Sequence, residues 1–198
     1  MSVFSLFSHE FKEDVKEALT LKSSLYIVRH AEATGQQPDA PLTNKGESDA
    51  ERLADFFHRK GIKHIVSSSF VRAVATAKPT AEKLALRIKQ DQRLQERVLC
   101  GKPADNWLEL LESSFHDMDK KWPGGESSNQ AKKRILAVVE EAAKTEEPTV
   151  IVSHGNLISL LLHTIDRQFG FQQWKQMQCP EVFHVDLVGQ TITKIDLS

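Results

Sequence analysis

The sequence predicts an α/β fold: a three-layer α/β/α sandwich around a mostly parallel central sheet, with an antiparallel edge and a helical cap insertion. Short runs of β-forming residues alternate along the chain with longer runs of helical periodicity. Three of the short runs are continuously apolar, as expected of strands that are covered on both faces of a parallel sheet. The C-terminal runs instead alternate apolar and polar residues, which is typical of an antiparallel hairpin.

The predicted elements follow one another in chain order. The strands are SLYIV at 24–28, KHIVSS at 63–68 and PTVIVSH at 148–154, with RIKQDQ at 87–92 as a further candidate. The helices between them have apolar faces at helical spacing, formed by Ala50, Leu53, Ala54 and Phe57, by Val74, Ala77, Ala81 and Leu84, and by Ile135, Val138, Val139 and Ala142. The tail holds two alternating runs joined at Gly189-Gln190, and its exposed edge leaves a homodimer open.

Length and composition fit one globular domain. The 198 residues are 40% hydrophobic with a formal net charge of -1, so we interpret residues 1–198 as a single domain whose cap insertion covers about 98–128. Nucleic-acid binding normally requires a basic excess, so this charge argues against a nucleic-acid partner. No apolar run approaches the roughly 18 residues that span a bilayer, so we expect no membrane association.

The cysteines and the N-terminus indicate the compartment. Cys100 and Cys179 fall outside CxxC and zinc spacings, so we expect neither a disulfide framework nor a metal site. Two free thiols suit the cytoplasm. Residues 1–24 lack the apolar core of a signal peptide and instead predict a helix with Ser8 as its cap.

Polar clusters follow three of the predicted strands. Arg29 and His30 end the first strand. The second is followed by SSSFVRAVATA, where a serine is the expected N-cap of a helix that carries Arg72 in its first turn, and the third by His154 and Gly155. Any single cluster could simply mark the point at which a strand reaches the protein surface. Ligands of open α/β sheets gather at the carboxyl ends of strands, however, so two arginines and two histidines there predict a site for a dianion such as phosphate.

These motifs resemble those of the histidine phosphatase superfamily, also called phosphoglycerate-mutase-like. VRHAEA is similar to its Arg-His-Gly signature, APLTNKGESDA to its Leu-Thr-x-x-Gly segment, and SSSFVRAVATA to its Ser-Ser-x-x-Arg-Ala-x-x-Thr-Ala block. LQERVLCG resembles the segment that holds the acidic residue, PGGES a segment of the phosphatase branches, and VIVSHG the second-histidine motif. The blocks occur in family order from about residue 24 to 158.

The resemblance implies a reaction that needs no cofactor and no metal. His30 would attack phosphorus to form a phosphohistidine, while Arg29, Arg72 and His154 hold the phosphoryl oxygens. Glu96 would protonate the leaving oxygen and then, as a carboxylate, activate water. The other candidates for this acid are Glu32, Asp91, Glu109 and Glu126.

The sequence departs from the family pattern close to His30. Ala31 stands where glycine is usual, which leaves the backbone less room. Gln36 occupies the position that matches a phosphate-contacting asparagine of the family, and with Gly155 and Asn156 it completes the predicted phosphate-binding set.

Four functions stay open at this point. A phosphatase acting on a small phosphorylated metabolite fits best, because the compact chain lacks the extra length with which mutases of the family enclose their substrate. A phosphoglycerate-type mutase would use the same histidine, and a phosphatase acting on phosphohistidine in proteins is a third reading. A pseudoenzyme that binds phosphorylated ligands without turnover is the fourth, and Ala31 is part of its support.

The cap segment is expected to set substrate choice. It carries large apolar side chains at partly helical spacing, and such stripes usually pack in a core rather than contact a ligand. These side chains are Trp107, Leu108, Leu111, Phe115, Met118 and Trp122.

Overall fold

Six strands form one mixed sheet. The computed structural model of the chain describes residues 24–187, 189 and 191–197. The strands are β1 (Ser24–Arg29), β2 (His64–Ser67), β3 (Ile88–Gln90), β4 (Thr149–Ser153), β5 (Glu181–Asp186) and β6 (Thr191–Ile195), in the spatial order β3-β2-β4-β1-β5-β6. The first four are mutually parallel, whereas β5 runs antiparallel to both β1 and β6. The predicted parallel sheet with an antiparallel edge is confirmed.

Helices connect the strands. Within the described residues they are α1 (Asn44–His58), α2 (Val71–Leu84), α3 (Trp107–His116), α4 (Ser128–Ala143), α5 (Gly155–Ile165) and α6 (Phe171–Gln176), with a 3-10 helix at Gln92–Leu94. The three predicted apolar faces belong to α1, α2 and α4. None of the described helices combines the length and apolar character needed to cross a membrane. The helix predicted around Ser8 lies outside the described residues, as does Gln190 of the predicted hairpin turn.

Alternation along β1 creates the three layers. Successive strand residues point to opposite faces of a sheet. Leu25 and Ile27 therefore join the core formed with α4 and α5, while Tyr26 and Val28 join the core formed with α1 and α2. All four side chains are at most 8% exposed. The alternation continues into the next two residues, so Arg29 and His30 point to opposite faces of the sheet.

The serine N-cap predicted for α2 is wrong. Its N-cap is Phe70, which has no side-chain acceptor, and the backbone N–H of Val71 donates instead to the carbonyl of Pro38 at 2.9 Å. The Ser68 hydroxyl accepts from the Phe70 N–H at 3.3 Å but lies closer, at 2.8 Å, to Nε2 of His154. The serine thus contacts the strand-end cluster rather than serving as the helix cap.

A glycine allows α1 to approach the loop that follows His30. Thr43 caps α1 by accepting from the Gly46 N–H, and its own N–H donates to the Glu32 carbonyl at 3.0 Å. A Cβ at Gly46 would lie 2.1 Å from that carbonyl oxygen, so any side chain there would displace the loop. The Leu-Thr-x-x-Gly segment thereby holds the backbone beyond His30 against α1.

A buried threonine ties the same loop to α2, and its removal should destabilise the fold. The Ala31 N–H donates to Thr76 Oγ1 at 2.9 Å, and Thr76 is 1% exposed. Thr76→Val keeps the side-chain shape but leaves this N–H without an acceptor, which should lower the free energy of unfolding by about 1–3 kcal/mol in urea denaturation. Thr80→Val, one turn later and equally buried, is the control; an equal loss there would contradict the prediction.

Candidate active site

The carboxyl ends of β1, β4 and β2 lie side by side. The His30 N–H donates to the Ser153 carbonyl at 3.0 Å, and the Ser68 N–H donates to the Val152 carbonyl at 2.9 Å. These bonds extend the parallel pairing past the last strand residues. Arg29, His30 and His154 are therefore brought to one edge of the sheet, as the positions at the strand ends predict.

His30 has one ring nitrogen held by backbone and the other directed to an arginine. Nδ1 lies 2.7 Å from the Ala31 carbonyl, which can only accept, so Nδ1 carries the hydrogen and Nε2 keeps a lone pair. Arg72 Nε donates to that Nε2 at 3.1 Å. Burial lowers the pKa of His30 to about 4, with Arg72 and Arg29 adding to the effect and the Ala31 carbonyl opposing it. The ring is neutral at pH 7, as a nitrogen nucleophile must be.

Arg72 also fixes the loop that carries Gln36. The side chain is 1% exposed, and its Nη1 donates to the carbonyls of Gln36 and Gln37 at 3.2 and 2.8 Å. The guanidinium carbon lies 4.9 Å from the centroid of the Phe70 ring. Burial lowers the pKa of Arg72, with the Glu96 and Cys179 charges opposing that shift. The predicted phosphate-binding residues Arg72 and Gln36 are thus in direct contact.

His154 lies beside His30, and one of its two ring nitrogens has no hydrogen-bond partner among the described residues. The two ring centroids are 5.1 Å apart, and His154 is fully buried. Its Nε2 pairs with the Ser68 hydroxyl, whereas its Nδ1 has no hydrogen-bond partner among the described residues. Burial, followed by His30 and Arg72, lowers the pKa of His154 well below its usual range. A buried ring nitrogen without a partner is costly unless a ligand completes it.

Arg29 lies on the opposite side of β1, against α5. Its Nη1 donates to the Met177 carbonyl at 2.7 Å, and its Nε is buried without a partner among the described residues. A Cβ at Gly155 would come within 3.1 Å of the guanidinium carbon. Gly155, predicted to bind phosphate, thus gives Arg29 room to lie close to the first turn of α5.

Glu96 occupies the N-terminus of α5. Its Oε1 accepts from the N–H groups of Leu157 and Arg97 at 3.0 and 2.8 Å, and its Oε2 accepts from the Asn156 N–H at 3.1 Å. The first amides of α5, the helix that begins with the predicted phosphate-binding residues Gly155 and Asn156, therefore hold the protein's own carboxylate. Oε2, with a single donor, keeps a lone pair for a proton or a water molecule. The Asn156 side-chain oxygen is buried without a partner in the described chain.

A cleft of about 930 Å³ opens beside these residues, and Arg29, Gln36, Glu96 and Asn156 line one part of it. None of the other four candidate carboxylates is among the described lining residues. Glu32 bonds to Thr43, Asp91 to Arg93 and Glu126 to Arg134, while Glu109 is exposed on α3. Position alone therefore distinguishes Glu96 as the candidate acid.

The cap segment divides between core and cleft. Phe115 and Met118 pack against the core on the α4 and α5 side, as expected of an apolar stripe. Leu108 and Leu111 line the cleft, and so does Trp107, which is 49% exposed. Trp107 thus lies at the cleft surface rather than in the core, whereas Phe115 and Met118 pack as predicted.

The sequence did not reveal which contacts the loops and α6 make at the site. Ser68 and Thr76 belong to the SSSFVRAVATA block, but their hydrogen bonds to His154 and Ala31 could not be read from that pattern. Trp174 and Lys175 line the cleft from α6, a helix of six residues that is too short for an apolar period. The described residues contain no group of three His, Cys, Asp or Glu side chains placed to hold a metal ion.

A family model and related sequences both match this chain, and they agree on the family. The family model of the histidine phosphatase superfamily, branch 1, matches residues 25–190. A probable phosphoglycerate mutase, GpmB, of Salmonella paratyphi B is 30% identical over 169 residues, which cover 77% of each chain.

Two solved structures share the fold. A mycobacterial glucosyl-3-phosphoglycerate phosphatase has a TM-score of 0.65 at 22% identity, covering 87% of this chain and 95% of that one. The alpha-ribazole phosphatase of Shigella flexneri has a TM-score of 0.64 at 18% identity, covering 87% and 94%. By the family model and by its curated relatives, this chain belongs to branch 1 of the histidine phosphatase superfamily.

Proposed function

We propose that the protein is a metal-independent phosphatase that hydrolyses a small phosphate monoester through a phosphohistidine on His30. The observation that carries the proposal is the state of His30: a neutral ring, its Nδ1 hydrogen committed to Ala31 and its Nε2 lone pair facing Arg72. The relatives named as phosphatases and as a mutase support phosphoryl transfer as the reaction class.

In the first step Nε2 of His30 attacks phosphorus and the bond from phosphorus to the leaving oxygen breaks. The Arg72 N–H that now donates to Nε2 turns to a phosphoryl oxygen, and Arg29 Nε and His154 Nδ1 offer further contacts. Glu96, protonated at this stage, supplies the hydrogen of the leaving alcohol. In the second step the Glu96 carboxylate takes a proton from water, the water oxygen attacks phosphorus, and the nitrogen–phosphorus bond breaks to release phosphate and neutral His30.

The surroundings of the site favour water as the second acceptor. Trp107 is half exposed at the cleft, and Lys102 and Lys175 on its lining are exposed, so solvent reaches the neighbourhood of Glu96. A mutase must instead keep water away from the phosphohistidine until the phosphoryl group returns to substrate. The GpmB relatives keep a phosphoglycerate mutase as the second candidate.

The proposal includes a small phosphorylated metabolite as substrate and the cytoplasm as location. The net charge of -1 disfavours a nucleic-acid substrate, and the two cysteines are free thiols.

His30→Ala should abolish phosphate release because no other described group replaces the Nε2 nucleophile. The test measures hydrolysis of p-nitrophenyl phosphate with excess chelator, at mildly acidic to neutral pH. His58→Ala, which removes an exposed histidine at the end of α1, is the matched control and should keep wild-type activity. Turnover that persists in His30→Ala would contradict the phosphohistidine. Interconversion of phosphoglycerates with little hydrolysis would favour the mutase.

Glu96→Gln should slow poor leaving groups more than good ones. A general acid contributes roughly 10²–10⁴-fold, and an oxygen that leaves easily as an anion needs little of it. We therefore expect a much larger loss of kcat/KM with phenyl phosphate than with p-nitrophenyl phosphate. Glu109→Gln, an exposed carboxylate of α3, should change neither. Equal losses for both esters would show that Glu96 only holds α5 in place.

His30 should remain neutral far below the usual pH range of histidine. Its pKa is lowered from 6.5 to about 4, so in the free protein its imidazole nitrogen signals should not change between pH 7 and 5. Because the unfolded chain takes up this proton first, the stability that neutral His30 contributes is present above pH 6.5 and is lost progressively toward pH 4. Nitrogen NMR, assigned with His30→Ala, measures the titration. A midpoint at or above 6.5 would contradict the assignment of burial as the main cause.

A further inference from the structure

We infer that the cleft selects phosphate esters whose leaving group contains a ring and a second negative charge, the ring against Trp107 and the charge near Lys102 and Lys175. The inference rests on the proposed phosphatase function and adds its substrate class.

The cleft is far larger than a phosphoryl group needs. Its volume of about 930 Å³ lies in the range of pockets that enclose drug-sized ligands, which is roughly 300–1,000 Å³. Four of its lining residues belong to the candidate phosphate site and its acid, namely Arg29, Gln36, Glu96 and Asn156. The remaining wall comes from the cap segment and α6, where no group for phosphorus chemistry lies among the described residues. That wall therefore faces the leaving group.

Trp107 is held in place by a row of aromatic rings. It meets Trp174 edge to face with centroids 6.1 Å apart, and Trp174 stacks on Phe171 at 5.6 Å. Phe171 in turn contacts Phe115, whose side chain packs against the core. The row joins α3 of the cap to α6. It leaves Trp107 49% exposed at the cleft, so a rigid indole surface is available for a ring to pack on.

Two exposed lysines give this part of the cleft its charge. Lys102 lines it from the loop before α3 and Lys175 from α6, and neither forms an ion pair within the described residues. Arg97, also on the lining, is buried and donates to Ser114 and Ser128. Glu96 is the one carboxylate among the described lining residues, and three N–H groups already donate to it. Within the described part of the chain no carboxylate pairs with these two ammonium groups, so we expect the substrate to supply the anion.

The experiment compares four esters that separate ring from charge. Phenyl phosphate has the ring alone, 4-carboxyphenyl phosphate has ring and carboxylate, glycerol 3-phosphate has neither, and 3-phosphoglycerate has the carboxylate alone. We expect kcat/KM to be highest for 4-carboxyphenyl phosphate. Its advantage over phenyl phosphate should shrink as salt rises, because exposed charges are screened.

The lysines and the tryptophan are tested separately. Lys102→Gln combined with Lys175→Gln should reduce the carboxylate preference about fivefold, the scale of exposed ion pairs, without changing phenyl phosphate. Lys133→Gln, exposed on α4 and absent from the cleft, is the charge control. Trp107→Ala should lower kcat/KM for both ring esters about tenfold, while Trp107→Phe retains most of it.

The outcomes distinguish this inference from the function on which it rests. Hydrolysis that depends on His30 but is equal for all four esters, or is unchanged in the lysine and tryptophan variants, would overturn the inference and leave the phosphatase standing. A preference for 3-phosphoglycerate over both ring esters would overturn the role of Trp107. No turnover of any ester would overturn the proposed phosphatase and the inference with it.

Discussion

The parallel pairing of β1, β4 and β2 is the constraint on which the site depends. Parallel strands bring their carboxyl ends to the same edge, and here the pairing continues one residue beyond the strands through the His30 N–H and the Ser68 N–H. Three chain segments that are far apart in sequence are thereby aligned. Alternation along β1 then directs its last side chains to opposite faces of the sheet: neutral His30 faces α2 and its Arg72, while Arg29 faces α5.

The site buries charged and polar side chains, although removing such groups from water costs free energy. Arg72 and His154 are at most 1% exposed, and neutral histidines are the result, since burial and the arginine charges both oppose protonation. The backbone carbonyls of Gln36 and Gln37 accept hydrogen bonds from the Arg72 guanidinium group, and that of Met177 accepts one from Arg29. Among the described residues, Arg29 Nε and His154 Nδ1 are buried without a hydrogen-bond partner, and under the phosphatase that we propose a phosphoryl group would complete them.

The walls of the site are held by the same contacts that hold the fold. Thr43, Gly46 and Thr76 fix the loop after His30, and Arg97 links the Glu96 segment to α3 and α4 through Ser114 and Ser128. Glu96 itself begins α5 by accepting from its first amides, which is favourable at the positive end of a helix. Substitutions in this shell will therefore affect stability and catalysis together.

The sequence by itself determined the layers, the parallel sheet with its antiparallel hairpin, the strand-end positions of Arg29, His30 and His154, and the place of Arg72 in the first turn of a helix, because apolar periodicity and strand ends are local signals. It also predicted Glu96 among five carboxylates, but only the tertiary structure placed that side chain at the cleft and showed that it, not a ligand, occupies the amides of α5. The tertiary structure likewise decided three other features. They are the N-cap of α2, the hydrogen bond from Ala31 to Thr76, and the contact between Trp174 and Trp107. Each depends on a contact between distant segments, and no spacing along the chain records such a contact.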